Sequence, residues 1–132
     1  MIVHMDEQTY EGSCHCGAIR FRFRSEAITS GRRCNCSICI RKGAVWSTPY
    51  YPRDAVELIR GADAVTVYAF GERCVEHCFC KTCGINAFNV IAGLPEDYEG
   101  TATLGAYRIN LGCVEGVEHE ALEIVMIDGK SF

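Results

Sequence analysis

The clearest pattern in the chain is an alternation of apolar and basic residues over positions 18–24. Successive side chains of a β-strand point to opposite faces of the sheet, so this alternation predicts a strand with one buried face. The buried face would hold Ile19, Phe21 and Phe23, and the solvated face Arg20, Arg22 and Arg24.

Four further segments are rich in β-branched and aromatic residues, which favour strands. They are residues 64–70, 87–90, 107–111 and 122–126. Helix is predicted to be scarce. Residues 54–60 fit either one helical turn, with Asp54 as its cap after Pro52, or a strand that contains Val56 and Ile59.

Length and composition restrict the class of protein. A chain of 132 residues with 48% hydrophobic and 23% charged residues is typical of one packed domain, here residues 1–132. The formal net charge of -4 provides no basic field for nucleic acid or an anionic membrane surface. We therefore expect neither a nucleic-acid partner nor a membrane partner, and the sequence leaves the oligomeric state open.

The N-terminal sequence MIVHMDEQTYEG has no basic region followed by an apolar one, so no secretion signal is indicated. No run of apolar residues reaches the roughly 18 needed to cross a bilayer. We therefore expect a cytoplasmic protein. In that reducing compartment, clustered cysteines are more often metal ligands or catalytic groups than disulfides.

Cysteine is the unusual feature of the composition, with 10 residues in 132. Eight fall into three short groups, SCHCG, RCNCSIC and HCFCKTCG. Each closely spaced pair supplies half of a zinc site, because a closed structural site needs four ligands. Two such pairs predict one complete site, formed by Cys14, Cys16, Cys80 and Cys83.

The middle group, Cys34, Cys36 and Cys39, differs because it supplies three ligands within six residues. Three protein ligands with a fourth position open to water or substrate are typical of catalytic zinc. The sequence therefore predicts a second zinc site here, with these three cysteines as the candidate catalytic residues.

Several alternatives stay open at the sequence level. The middle group could be a second structural zinc site whose fourth ligand is a histidine, Cys74, Cys78 or Cys113. Cys78 could also join either site, although we favour it as a bystander. Iron–sulfur ligation is a further alternative that the C-x-C spacing makes less usual.

The remaining candidates have weaker patterns. Cys74 and Cys113 are expected to pack as small apolar residues, and His15 and His77 to pack or face solvent. His4 and His119 have no partner pattern. Trp46 is expected in the core or at its rim, although it follows the middle group closely enough that it could instead lie beside the open position. A basic cluster flanks the same group and would suit the carboxylates of a small thiol; its members are Arg32, Arg33, Arg41 and Lys42.

Three blocks of the sequence, GSCHCGAIRF, RCNCSICIRKGAVW and FCKTCGINAF, resemble the signature blocks of the glutathione-dependent formaldehyde-activating enzyme family, which includes relatives of centromere protein V. The closing segments RINLGCVEG and IDGKSF also resemble that family, so the similarity runs from about residue 10 to 132. Seven cysteines lie in register with the family pattern.

The resemblance implies a mainly β, Mss4-like (β-tent) fold of small sheets built around zinc. It also implies a structural zinc on Cys14, Cys16, Cys80 and Cys83 and a second zinc on Cys34, Cys36 and Cys39. The implied activity is that of a carbon–sulfur lyase running in the synthetic direction, which condenses glutathione with formaldehyde to S-hydroxymethylglutathione. The alternative function is a zinc-stabilised interaction module without catalytic activity.

Overall fold

The computed structural model describes residues 7–131, and over this range it is mainly β. The strands are β1 (Gln8–Ser13), β2 (Arg20–Ser25), β3 (Ser30–Cys34), β4 (Trp46–Ser47), β5 (Val56–Arg60), β6 (Val65–Tyr68), β7 (Val75–Cys80), β8 (Asn86–Ile91), β9 (Tyr107–Ile109) and β10 (Glu123–Ile127). The α-helix of the described residues, α1 (Cys39–Lys42), has a single turn. No described helix has the length and apolar character needed to cross a membrane.

The strands form three small sheets. The first has the order β1-β2-β5 and the third the order β6-β7-β8-β9, and the neighbours in both are antiparallel. In the second sheet, β3 lies between β4 and β10, and β10 runs parallel to β3. The mainly β fold of small sheets that the sequence indicates is confirmed.

The alternating segment forms β2, and its apolar residues are the centre of the molecule. Ile19, Phe21 and Phe23 are almost fully buried and belong to a core to which strands of the first and third sheets contribute. The arginines on the other face are not simply solvated, because Arg20 pairs with Glu11 and Arg22 with Glu57. These half-exposed pairs contribute little stability each.

The other predicted strands exist with shifted ends. Residues 107–111 stop as a strand at Ile109, because the Asn110 side chain accepts a hydrogen bond from the N–H of Gly112 and begins a 3-10 turn. Residues 54–60 contain the strand, since β5 follows directly on a 3-10 turn over Arg53–Ala55. The prediction of Asp54 as a cap is wrong, because Pro52 occupies the N-cap and Asp54 lies inside the turn. The sequence pattern did not predict β1, β3, β4 and β7.

Candidate metal centres and the adjoining pocket

One cysteine cluster lies where the turn between β1 and β2 meets the turn between β7 and β8. Cys14 and Cys16 come from the first turn, and Cys80 and Cys83 from the end of β7 and the turn after it. The four sulfur atoms all lie within 4.8 Å of one another. The structure thus brings together the two half-sites that the spacing predicts, although they are far apart in sequence.

The spacing of these sulfurs fits a tetrahedral zinc ion. The Sγ atom of Cys16 is 3.7 Å from that of Cys14 and 3.6 Å from that of Cys80. A Zn–S bond near 2.3 Å places two sulfurs of a tetrahedron about 3.8 Å apart. Backbone N–H groups also point at the sulfurs, with Ile19 donating to Cys14 and Thr82 to Cys80. This cluster can therefore hold a metal ion without rearrangement.

Glycine closes both turns. Gly17 and Gly84 have φ angles of 81° and 79°, in the left-handed region that residues with a Cβ rarely adopt. Their N–H groups donate to the carbonyls of Cys14 and Cys80. Each glycine directly follows the last cysteine of its pair, where the turn requires positive φ.

Hydrogen bonds and burial shift the pKa values of Cys16, Cys80 and Cys83 in different directions. The N–H of Ile85 lowers the pKa of Cys83 to about 6, and the N–H of Cys83 lowers that of Cys80. The N–H of Ala18 lowers the pKa of Cys16, but burial and hydrogen bonds to the neighbouring thiols outweigh it and raise the pKa to about 11. A cation is what allows all four crowded sulfurs to be thiolates together.

The second cluster lies at the end of β3. Cys34 ends that strand, Cys36 lies in the following loop and Cys39 begins α1, with their sulfurs within 4.8 Å of one another. The N–H of Cys36 donates to Cys34 and that of Cys39 donates to Cys36. Among residues 7–131, no fourth Cys, His, Asp or Glu brings a ligand atom into this cluster. The arrangement supplies three corners of a tetrahedron.

The C-terminal segment supports this cluster. The Asn35 amide donates to Asp128 at 2.9 Å, and its oxygen accepts from the N–H of Lys130. Gly129 then lies so close to the cluster that a Cβ there would overlap the sulfur of Cys34. Burial raises the pKa of Cys39 to about 12, whereas at Cys36 hydrogen bonds, chiefly from the N–H of Cys39, outweigh burial and lower it.

A cavity of about 560 Å³ adjoins the three-cysteine cluster. It lies between the second sheet and one face of the third sheet, and all three cysteines line it. Trp46 is buried in its wall, as its position in the sequence suggested. The other lining residues include Arg32, Ile38, Tyr50, Phe70, Glu72, Arg73, Cys74, Val75, His77, Asn89, Ile91, Arg108 and Ile127.

Part of that wall is one row of side chains across the third sheet. His77, Asn89 and Arg108 are register partners on β7, β8 and β9, and all three line the cavity. Sequence reasoning missed Asn89 and Arg108 because only strand register brings them together. The next row, Cys78, Phe88 and Ile109, lies in the core.

A buried contact between Lys42 and His77 lies beside the cavity. Lys42 donates to Nδ1 of His77 at 2.7 Å and lies 5.0 Å from the centre of the Trp46 ring. Burial, reinforced by the charge of Lys42, lowers the pKa of His77 to about 4. His77 is therefore a neutral hydrogen-bond acceptor at neutral pH.

The isolated cysteines and histidines have separate fates. Cys113 packs against the core as expected, and Cys78 is buried there outside both clusters. Cys74 differs from the expectation because it lines the cavity. His15 and His119 are exposed, and His4 lies outside the described residues.

The basic cluster around the middle cysteines divides in the structure. Arg32 lines the cavity, but Arg33 and Arg41 are exposed and do not. The guanidinium of Arg41 donates to the carbonyl of Ser37. Of the two adjacent arginines on β3, only Arg32 therefore faces the cavity.

Comparison with known proteins gives one consistent result. Residues 9–123 match the family model described as glutathione-dependent formaldehyde-activating enzyme. A Halomonas elongata protein named after the same enzyme is 62% identical over 29 residues, which are 22% of this chain and only 18% of that relative. A crystal structure of a Rhodobacter sphaeroides protein superposes with a TM-score of 0.70 at 30% identity, covering 88% of this chain and 98% of that one.

Proposed function

The chain belongs to the glutathione-dependent formaldehyde-activating enzyme family, and on this premise we propose that it is a zinc-dependent carbon–sulfur lyase that joins glutathione to formaldehyde. The observation that carries the proposal is the three-cysteine cluster that lines a cavity of about 560 Å³. A small thiol can reach the cluster through this space, whereas the four-cysteine cluster has all four positions filled by the chain.

The proposal assigns different roles to the two clusters. Cys14, Cys16, Cys80 and Cys83 would hold a structural zinc, and Cys34, Cys36 and Cys39 a zinc with its fourth position free. Zinc held by three thiolates takes one more ligand and keeps an incoming thiol ionised at neutral pH. The three cysteines are thus the proposed catalytic residues.

The proposed reaction is an addition that balances without a further reactant. The glutathione sulfur attacks the carbonyl carbon of formaldehyde, a C–S bond forms, and the C=O π electrons move to oxygen. That oxygen takes up the proton lost by the thiol, which gives S-hydroxymethylglutathione. The protein contributes chiefly orientation, with the buried side chains of Trp46 and Ile91 as an apolar part of the cavity wall.

We place the protein in the cytoplasm as a single domain spanning residues 1–132. All ten cysteines are free thiols, and a reducing compartment keeps such clusters available to metal. Zinc binding would not make the protein basic, because the ligand thiolates add negative charge to a chain whose formal charge is already -4. This supports a small-molecule partner rather than nucleic acid.

X-ray absorption at the zinc edge tests the proposal. On the zinc-loaded protein we expect the average number of sulfur ligands per zinc to rise when glutathione is added. Cys36→Ser should abolish the rise and the thiol-dependent consumption of formaldehyde. Cys113→Ser, which removes a cysteine outside both clusters, is the matched control and should behave as the wild type.

An unchanged zinc spectrum on addition of glutathione, with two fully protein-ligated ions, would instead support the zinc-stabilised interaction module. Thiol-dependent turnover that survives Cys36→Ser after loss of the second zinc would remove the catalytic role of this cluster.

A further inference from the structure

Three buried nitrogen donors in the cavity wall have no hydrogen-bond partner in the described part of the chain. They are Nε of Arg32, Nε1 of Trp46 and Nε of Arg108. A buried donor without an acceptor costs roughly 1 to 3 kcal/mol, and most such groups in folded proteins are satisfied. All three belong to residues that line one cavity, so the described chain leaves its donors unsatisfied in this wall.

The fold fixes the three donors on facing elements. Arg32 on β3 and Trp46 on β4 are cross-strand neighbours in the second sheet, and Arg108 comes from β9 of the third sheet. The guanidinium of Arg108 lies 3.7 Å from the centre of the Tyr50 ring, which holds its plane in place. Its contact with the carbonyl of Thr48 is long, at 3.4 Å. Stacking on Tyr50 therefore holds the guanidinium of Arg108 in place beside the cavity.

The charge in this part of the cavity is also unbalanced. Neither arginine takes part in an ion pair among residues 7–131. Glu72 is the one carboxylate among the lining residues, and it is exposed. Burial lowers the pKa of Arg108, and the nearby charge of Arg32 contributes in the same direction. Cys39 acts on the pKa of Arg108 in the opposite direction, but no carboxylate of the described residues pairs with either guanidinium.

We propose that the guanidinium groups of Arg32 and Arg108 form a carboxylate-binding subsite, so that the cavity selects thiols that carry a carboxylate over neutral thiols. A guanidinium presents a planar fork of N–H donors that matches a carboxylate in bidentate fashion. The inference rests on the proposed function for the identity of the thiol, since glutathione carries two carboxylates. It adds which residues recognise it.

The test compares glutathione with its diethyl ester, in which both carboxylates are blocked. Calorimetric titration of the zinc-loaded full chain should show binding of the ester about 10- to 100-fold weaker than that of glutathione, the range for loss of charge-assisted hydrogen bonds. This comparison uses the unmodified protein, so it does not depend on any variant folding.

Variants then assign the effect to residues. Arg32→Gln and Arg108→Gln should each weaken glutathione binding about 10-fold or more, because the interaction with the carboxylate is lost. The affinities of each variant for glutathione and for its diethyl ester should then be nearly equal. Arg33→Gln removes an exposed arginine from the neighbouring position of the same strand and should leave the preference unchanged. Far-UV circular dichroism and zinc content check that each variant is folded and loaded.

Equal affinity of wild-type protein for glutathione and its ester overturns the inference. It is also overturned if the arginine variants lose zinc but keep the preference for the acid, since the arginines would then only balance the charge of the cysteine cluster. A glutathione analogue with alanine in place of cysteine separates this result from the proposed function. If that analogue binds as tightly as glutathione and its binding still needs both arginines, the carboxylate subsite is supported. The proposal that the glutathione thiol binds at the three-cysteine cluster is then wrong.

Discussion

Gly129 shows how closely single residues fit around the three-cysteine cluster. It lies in a 3-10 turn, Gly129–Ser131, and any Cβ would overlap Sγ of Cys34 and lie 3.0 Å from Cβ of Cys36. Neither atom can move freely, because N–H groups of the cluster loop hold the sulfurs. The absence of a side chain at this position is therefore part of the cluster geometry.

Gly129→Ala is expected to displace Cys34 and to weaken metal binding at the three-cysteine cluster by 10-fold or more. The zinc content after dialysis should fall from about two ions per chain toward one, while the four-cysteine cluster keeps its ion. Gly93→Ala is the control, since its added carbon meets only Cys74 at the ordinary distance of 3.7 Å. Full zinc content in Gly129→Ala would contradict the prediction.

His77 is a buried histidine whose pKa moves from an ordinary 6.5 to about 4, mainly through burial. The charged group packed against it is Lys42 from α1, and Phe70 and Tyr68 cover its ring. Between pH 6.5 and 4 the unfolded chain binds a proton here that the folded protein does not. The free energy of unfolding therefore falls as the pH drops through this window.

Replacing His77 by Gln should remove that contribution. Between pH 7 and pH 5, urea unfolding should show a loss of stability about 2 kcal/mol larger in the wild type than in His77→Gln. Both proteins carry the same cysteines, so acid release of metal affects them alike. Identical losses in the two proteins would show that His77 is not buried in its neutral form.

At the scale of elements, the four-cysteine cluster connects two turns that belong to different sheets and are far apart in the sequence. The turn between β1 and β2 belongs to the first sheet and that between β7 and β8 to the third. Cys14 and Cys80 are buried at 1% and 0% exposure, so the connection lies in the core itself. The three-cysteine cluster, in contrast, spans only the end of β3 and the start of α1.

Cys80→Ser should therefore lower the melting temperature by more than about 10 °C, because a metal ion bound between the first and third sheets would contribute directly to folding. Cys36→Ser should lower it by less than about 5 °C, since its cluster closes no long loop. Differential scanning calorimetry of the two zinc-loaded variants makes the comparison. Equal shifts would mean that both clusters stabilise the fold alike.

In the whole molecule as far as residues 7–131 describe it, the second and third sheets enclose a cavity that the three-cysteine cluster lines and the four-cysteine cluster does not. Access thus differs between the two metal centres although their ligands are chemically the same. The cavity also collects residues from both the second and the third sheets, which makes its shape dependent on how those sheets pack.

A zinc chelator should therefore remove the two ions in separate phases. The first ion should leave the cavity-lining cluster while the far-UV circular dichroism stays constant. The second should leave only as that signal is lost, because its release opens the core. Chelator absorbance and circular dichroism followed together check the order, and a single phase in which both signals change together would contradict it.

The mainly β fold class and the grouping of the cysteines can be predicted from the sequence alone. Period-two alternation produces β2 because the strand has one buried face, and short C-x-C and C-x-x-C spacings bring sulfurs together within a single turn. Both signals are local, which is why they can be read without a structure. The sequence does not predict strand β7, because its residues VEHCFC include two cysteines and lack a run of β-branched residues.

Which side chains line the cavity depends on how the second and third sheets pack, and this cannot be predicted from the sequence. Arg108 lies 76 positions after Arg32, and no periodicity relates the two. They meet because β9 pairs with β8 in one sheet while β3 pairs with β4 and β10 in another. Arg32 and Arg33 are chemically identical neighbours on β3. Because successive side chains of a strand point to opposite faces, Arg32 lines the cavity and Arg33 faces solvent.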